Sequence, residues 1–345
     1  DKSLENLYIS LDIMKELNNQ RGVAKSLHHI GHNYYYKGEY DKAHEYYSRS
    51  IEIIKNLGDK SGMGHALLSL GNIYEVKDNL DGALSCYEES YLINKEFNDK
   101  YAAGYAQMGI GNIYTQLEKY DKAIEYYNLA LDTRIEIEDK NGIAHLHHNI
   151  GVTYEKMYNY SDALESFNKA FNLMNELEDK YASSASLKHI GEIHRVMGEY
   201  KKSIKVHNES LELRKSIKQN DYIVESLNSL GITYYLDNDF KNAYLFLNEV
   251  NKIKYKDEEQ ALINKLYLAL VSNELNTNFD LDEIMNQIKN IKSLNYEIYY
   301  FIYKISGDSA YLSLARKSLK KLQDSNNSSV FFSYPIPQKI LKDTN

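Results

Sequence analysis

Two pairs of histidines, His28 with His32 and His145 with His148, stand four and three residues apart. On a helix, either spacing sets two imidazoles on one face a single turn apart, within reach of one metal ion. Two nitrogens fill only half of a tetrahedral site, and neither pair lies in the HExxH arrangement of a zinc peptidase. They are therefore read as groove or packing histidines, and no metal is expected. Sensing of pH, by imidazoles titrating near neutrality, is the weaker alternative. Nor does the chain offer a nucleophile beside a base, a phosphate-cradling glycine loop or an acidic metal cluster. An enzyme is not expected, nor is a cofactor.

The elements that carry these side chains repeat. Gly31, Gly71, Gly111, Gly151, Gly191 and Gly231 recur every 40 residues, although glycine makes up only 17 of 345 residues. A glycine inside a helix costs about 1 kcal/mol relative to alanine, so six at one lag mark architecture. Within residues 61–100 the apolar positions Leu67, Leu70, Ile73 and Tyr74, then Leu80, Ala83, Leu84, Tyr87, Tyr91 and Phe97, fall three and four apart. This spacing predicts two amphipathic helices, A and B, joined by a turn near Asp78 and Asn79. Asp59, Asp99, Asp139 and Asp179 each precede a helix A, where a carboxylate accepts hydrogen bonds from free amides.

Composition agrees with an elongated array. The chain is 43% hydrophobic and 26% charged, with two prolines and no tryptophan. No apolar run approaches the ~18 residues of a membrane helix, and the start lacks the order of a signal peptide, so a cytoplasmic protein without a membrane partner is expected. Cys86 is the single cysteine and is expected to be a small core side chain. A net charge of −8 disfavours a nucleic-acid partner.

The full pattern resembles the tetratricopeptide repeat, TPR. A large apolar residue precedes the glycine by four (Leu27, Leu67, Leu187, Leu227), and a tyrosine follows it by three (Tyr34, Tyr74, Tyr114, Tyr154, Tyr234). Helix B carries a small residue (Ala43, Ala83, Ala123, Ala163, Ser203, Ala243) and an aromatic four later (Tyr47, Tyr87, Tyr127, Phe167). The resemblance implies an all-α fold, a right-handed α-solenoid or superhelix of antiparallel helix pairs. The glycine and the small residue would let A and B approach closely. The 40-residue units are similar to those of spindle-orientation scaffolds and of large bacterial signalling proteins, whose LGN-Y pattern appears around Asn72 and Asn112.

In TPR arrays helix A lines the inner groove. The resemblance carries this role to Lys25, His28, His32 and Tyr35, to His65, Leu68, Asn72 and Glu75, and to Tyr105, Met108, Asn112 and Thr115. It continues through His145, His148 and Glu155, then Lys188, Glu192 and Arg195, then Glu225, Asn228 and Tyr235. Alternating polar groups and rings suit an extended or helical peptide, with Asn72 and Asn112 expected to bond its backbone both ways.

Residues 1–18 align with a helix B, so the chain is expected to start inside a repeat and to come from a longer protein. Six repeats follow at about 21–60, 61–100, 101–140, 141–180, 181–220 and 221–256. Residues 257–324 are expected to be degenerate capping helices. The tail, 325–345, is aromatic at Phe331, Phe332 and Tyr334 and is expected to dock on the last helices or on a neighbouring molecule. The leading expectation is a non-catalytic protein-interaction scaffold that holds a peptide or helix of a protein partner. The alternative is a regulatory or sensor arm joined to an effector domain, in a bacterial signalling protein or a CHAT-type protease.

Overall fold

The computed structural model describes residues 2–279, 282, 285, 286, 295–325 and 334–343. Among them are seventeen helices and no strand. The helices are α1 (Lys2–Glu16), α2 (Gln20–Tyr36), α3 (Tyr40–Asn56), α4 (Lys60–Val76), α5 (Leu80–Glu96), α6 (Lys100–Gln116), α7 (Tyr120–Glu136) and α8 (Lys140–Lys156). There follow α9 (Tyr160–Glu176), α10 (Lys180–Val196), α11 (Tyr200–Ile217), α12 (Asn220–Leu236), α13 (Phe240–Val250) and α14 (Glu258–Glu274). The last three are α15 (Tyr296–Ser306), α16 (Ser309–Ser325) and α17 (Pro335–Lys342). The even-numbered helices α2 to α12 are the A helices. No described helix is long and apolar enough to cross a membrane.

Up to α13 the turns occupy three residues, or two after α11, and a left-handed backbone recurs in them at every twentieth position from Asn18 to Asn238. Only Gly38, Gly58 and Gly198 meet that requirement without a side chain; Glu118, Glu138 and Tyr158, for example, adopt φ near 57°. The next residue often restarts the helix as a cap. Asp59, Asp99, Asp139 and Asp179 accept the amide N–H of Gly62, Ala102, Gly142 and Ala182 at 2.9–3.0 Å, as the sequence predicts.

The chain forms two compact units, residues 1–153 and 154–345. In the first, α1 to α7 pack each on the next, and A helices also touch, α2 on α4 and α4 on α6. The repeated glycine makes room for the helix-B aromatic. A Cβ at Gly71 would lie 2.6 Å from Tyr87 Cε1, one at Gly111 2.6 Å from Tyr127 Cε1, and one at Gly31 2.8 Å from Tyr47 Cδ1. Ala43, Ala83 and Ala123 are wholly buried beside these rings. Burial of such flat rings returns more than the glycines cost in helix propensity.

In the second unit α9 to α14 follow the same packing, but the ring position changes chemistry: Gly191 faces His207 and Gly231 faces Leu247. After α14 the chain adds a cover. α15 packs on α14 and α16, and α17 packs on both α15 and α16. Tyr334 places its ring 5.4 Å from that of Tyr160, Pro335 packs on Gly198, and Ile336, Pro337 and Ile340 are buried. The described part of the tail thus docks within its own unit. Of the expected capping helices, the part at 281–294 lies largely outside the described residues, as do Phe331 and Phe332.

Candidate functional site

In the first unit the predicted groove positions lie along α2, α4, α6 and the first four turns of α8. Lys25, His32, His65, Asn72, Tyr105 and His145 are exposed; His28, Tyr35, Glu75, Met108, Asn112 and His148 are half-buried. The face is ordered from beneath by the helix-B tyrosines. The Tyr87 hydroxyl lies 2.7 Å from both Asn72 Oδ1 and Glu75 Oε2, and Glu75 also accepts from Gln116 Nε2 at 3.0 Å. Burial raises the Glu75 carboxyl above its ordinary pKa, against the lowering effect of those two donors. Tyr127 donates to Asn112 Oδ1 at 2.9 Å, as does Asn149 Nδ2 at 3.1 Å.

These bonds correct the expectation for Asn72 and Asn112. Their carbonyl oxygens are engaged inward, by Tyr87 at Asn72 and by Tyr127 and Asn149 at Asn112. Thr115 is also corrected: it is buried, with its hydroxyl bonded to Gly111 O, the Tyr127 hydroxyl and Thr153 Oγ1 at 2.9–3.2 Å.

Rings supply the apolar area. His28 packs 5.1 Å from the Tyr47 ring, with Nε2 3.4 Å from Ser69 Oγ. Burial, and behind it the proximity of His29, His32 and His65, lowers its pKa to about 4. His32 stacks edge-on to Tyr36, which is 75% exposed and was not among the predicted residues. His65 Nε2 lies 3.1 Å from Asp99 Oδ2. No group of three or more histidine, cysteine, aspartate or glutamate side chains among the described residues is placed to hold a metal ion. Cys86 is buried, and burial pushes its thiol up to about 11, so it is poorly reactive.

In the second unit most of the same offsets are taken. Glu155 Oε2 meets His189 Nδ1 at 2.7 Å and Lys188 Nζ meets Glu225 Oε1 at 2.5 Å. Arg195 sits between two carboxylates, donating from Nε to Glu192 and from Nη1 to Glu297 of α15, each at 2.8 Å. Tyr267 donates to the same Glu297 at 2.8 Å, and Ser229 donates to Glu192 at 2.7 Å. Burial favours the neutral form of Glu192, but Arg195, His207 and Ser229 hold its carboxyl well below the usual range. Asn228 is 1% exposed, donating to Gln260 and accepting from Asn264 Nδ2 at 3.0 Å. Tyr235 lies under Tyr267 and Phe301, with ring centroids 6.0 and 5.9 Å away. Glu192, Arg195, Asn228 and Tyr235 are therefore corrected from open groove residues to an internal interface. Glu297, Tyr267 and His207, which complete it, carry no repeat signature; only the ring position of helix B could have pointed to His207.

Family models of the tetratricopeptide repeat match residues 62–134, 103–176 and 182–254, and a second such model matches 24–57. No curated protein matches the chain in sequence. Among solved structures, the apo form of the quorum sensor NprR from B. thuringiensis is 13% identical with a TM-score of 0.61, covering 98% of this chain and 97% of that one. The STAND protein PH0952 from Pyrococcus horikoshii, described as having a tetratricopeptide repeat sensor, is 14% identical with a TM-score of 0.65, covering 92% of this chain and 45% of its own. A Rap protein complexed with Competence and Sporulation Factor is 15% identical with a TM-score of 0.55, covering 81% and 79%. These likenesses concern the fold. With the family models spanning more than half of its length, the chain belongs to the tetratricopeptide repeat family.

Proposed function

We propose that the helix-A face of the first unit is a non-catalytic binding face for an extended or helical peptide of a protein partner. The observation that carries this reading is the contrast within the chain. In the second unit Arg195, Asn228 and Tyr235 are covered by α14 and α15, whereas along the same helix-A face of the first unit Lys25, His32, His65, Asn72 and Tyr105 stay exposed. A face that accepts a helix in one unit has the shape and spacing to accept one in the other. Exposed rings and amide donors fit a polypeptide, which offers a carbonyl per residue and apolar side chains between. TPR membership supports an interaction module, and the Rap complex offers a precedent for a bound factor.

Tyr36→Ala combined with His32→Ala tests the reading, because both side chains are exposed and support little of the core. Capture of a partner from lysate should fall at least tenfold while the thermal melt stays within about 2 °C. Undiminished capture rejects this face. A regulatory arm of a larger signalling protein is the second reading, favoured by the PH0952 structure, which pairs a repeat sensor with further domains.

A further inference from the structure

Within the second unit, the last repeat and its cover enclose a cavity of about 330 Å³, lined from the turn after α12, the end of α14, α15 and α17. Its floor is built of rings. Tyr235 stands 5.7 Å from Phe240 and 5.9 Å from Phe301, and Tyr300 stands 5.7 Å from Phe301, centroid to centroid. Leu236 adds a buried aliphatic wall. Phe240 takes the position at which Tyr40, Tyr120, Tyr160 and Tyr200 carry a phenol, so here the floor loses a hydroxyl and becomes more apolar. The volume falls at the lower end of the ~300–1,000 Å³ of small-ligand pockets, which suits a molecule of one or two rings and is too small for a helix.

The rim is charged and largely uncommitted. Lys304 of α15, Lys339 of α17 and Glu274 of α14 all line the cavity and are all exposed. Asp343 accepts from the Tyr300 hydroxyl at 3.1 Å and lies 4.0 Å from Lys304 Nζ, a loose contact that leaves this ammonium group 46% exposed at the side chain. Among the described residues Lys339 and Glu274 have no ion-pair partner, and the Tyr235 hydroxyl has no hydrogen bond. Burial, and then the nearby Glu274 carboxylate, push the Tyr235 phenol up to about 12, so it keeps its proton and remains a donor. Two ammonium groups and a phenol above an aromatic floor select a flat ring that carries a carboxylate, because ring packing and charge-assisted hydrogen bonds are then satisfied together.

We propose that this cavity binds a small aromatic carboxylate, its ring packed among Tyr235, Phe240, Tyr300 and Phe301 and its carboxylate held by Lys304 and Lys339. The carboxylate belongs either to a free aromatic amino acid, whose ammonium group Glu274 takes, or to an aromatic acid without an amine. Such a ligand touches the last repeat, α14, α15 and α17 at once, and so ties the cover to the repeat beneath it. The site stands apart from the peptide face of the first unit and does not depend on it.

Isothermal titration of the whole chain with L-phenylalanine, L-tryptophan, 3-phenylpropionate and phenethylamine tests the site. The ligands that carry a carboxylate should bind at least about tenfold more tightly than phenethylamine, which has none. Tighter binding of an amino acid than of phenylpropionate, erased in Glu274→Gln, assigns a free amino acid; equal or tighter binding of phenylpropionate assigns the acid without an amine. Lys304→Met combined with Lys339→Met, both at exposed positions, should weaken the bound carboxylate about tenfold or more with the melt unchanged. Ligand should also slow proteolytic cleavage near residue 334, because the α17 that follows supplies Lys339. Binding of phenethylamine as tight as that of the carboxylates, an affinity unchanged in the lysine double variant, or no binding by any of the four overturns the proposal.

Discussion

The two units set the same helix-A offsets to different uses. In the first, the offsets one and four after the glycine carry His32 and Tyr35, then Asn72 and Glu75; the latter pair is tied to the helix-B Tyr87 beneath, and His32 and Asn72 are exposed. In the second, they carry Glu192 and Arg195, which pair with each other, Arg195 also reaching Glu297 of α15, and are 22% and 13% exposed at the side chain. A repeat fixes which positions face the groove; the helices beyond the last repeat decide whether that groove is a surface or an interface.

The largest expected effect breaks the covered face. Arg195→Met leaves Glu192 and Glu297 buried without their common cation and should destabilise the second unit by about 3–5 kcal/mol in urea unfolding. Glu297→Gln leaves Arg195 paired with Glu192 and should cost only about 1 kcal/mol. Equal losses from both variants would mean that Glu297, rather than the arginine between two acids, organises the contact.

Acid should separate the units next. Burial lowers the pKa of His207 to about 4 against an ordinary 6.5, with Glu192 opposing and Arg195 adding to the shift. The unfolded chain therefore takes up the proton first. Stability is fully present above pH 6.5 and drains as pH falls toward 4, by about 3 kcal/mol for a shift of this size. His207→Tyr, which restores the ring used at Tyr47, Tyr87 and Tyr127, should remove this part of the acid sensitivity. His28, lowered to about 4 in the first unit, should keep its own. Melts of wild type and His207→Tyr between pH 7 and 4.5 decide this, and an unchanged profile for His207→Tyr would assign the sensitivity elsewhere.

Packing beneath the open face gives a smaller effect. The Tyr87 ring is wedged between Gly71 and Gly109, whose Cβ atoms would come within 2.6 and 2.8 Å of it. Gly71→Ala should cost about 1–3 kcal/mol through overpacking, although alanine is the better helix former. A stabilised variant would show that the ring can retreat.

These contrasts mark what the sequence could convey. Gly71 and Tyr87 are 16 residues apart, and their contact follows from a pattern repeated along the chain, so the helix pairs, the caps at Asp59 to Asp179 and the role of the glycines were legible. The inward bonding of Asn72 and Asn112 was not, because amide direction depends on tyrosines from another helix. Least legible was the cover: Arg195 and Glu297 are 102 residues apart, and α15 has no repeat register from which to place it. Offsets inherited from a family name a face, while only tertiary contacts tell whether it is occupied.

The smallest effect isolates the docking of the tail. Gly38 and Gly198 hold equivalent turn positions in the two units, with φ of 76° and 81°. A Cβ at Gly38 would meet nothing within 4 Å, whereas one at Gly198 would lie 2.8 Å from Pro335 Cγ. Gly38→Ala and Gly198→Ala should pay the same left-handed backbone strain, about 1 kcal/mol. Only Gly198→Ala should also push Pro335 away and loosen the aromatic contact of Tyr334 with Tyr160. The strain cancels in the comparison, so faster proteolytic cleavage near residue 334 in Gly198→Ala alone would measure the grip of the turn on the tail. Equal cleavage would mean that Ile336 and Ile340, buried on their own side of α17, suffice to hold it.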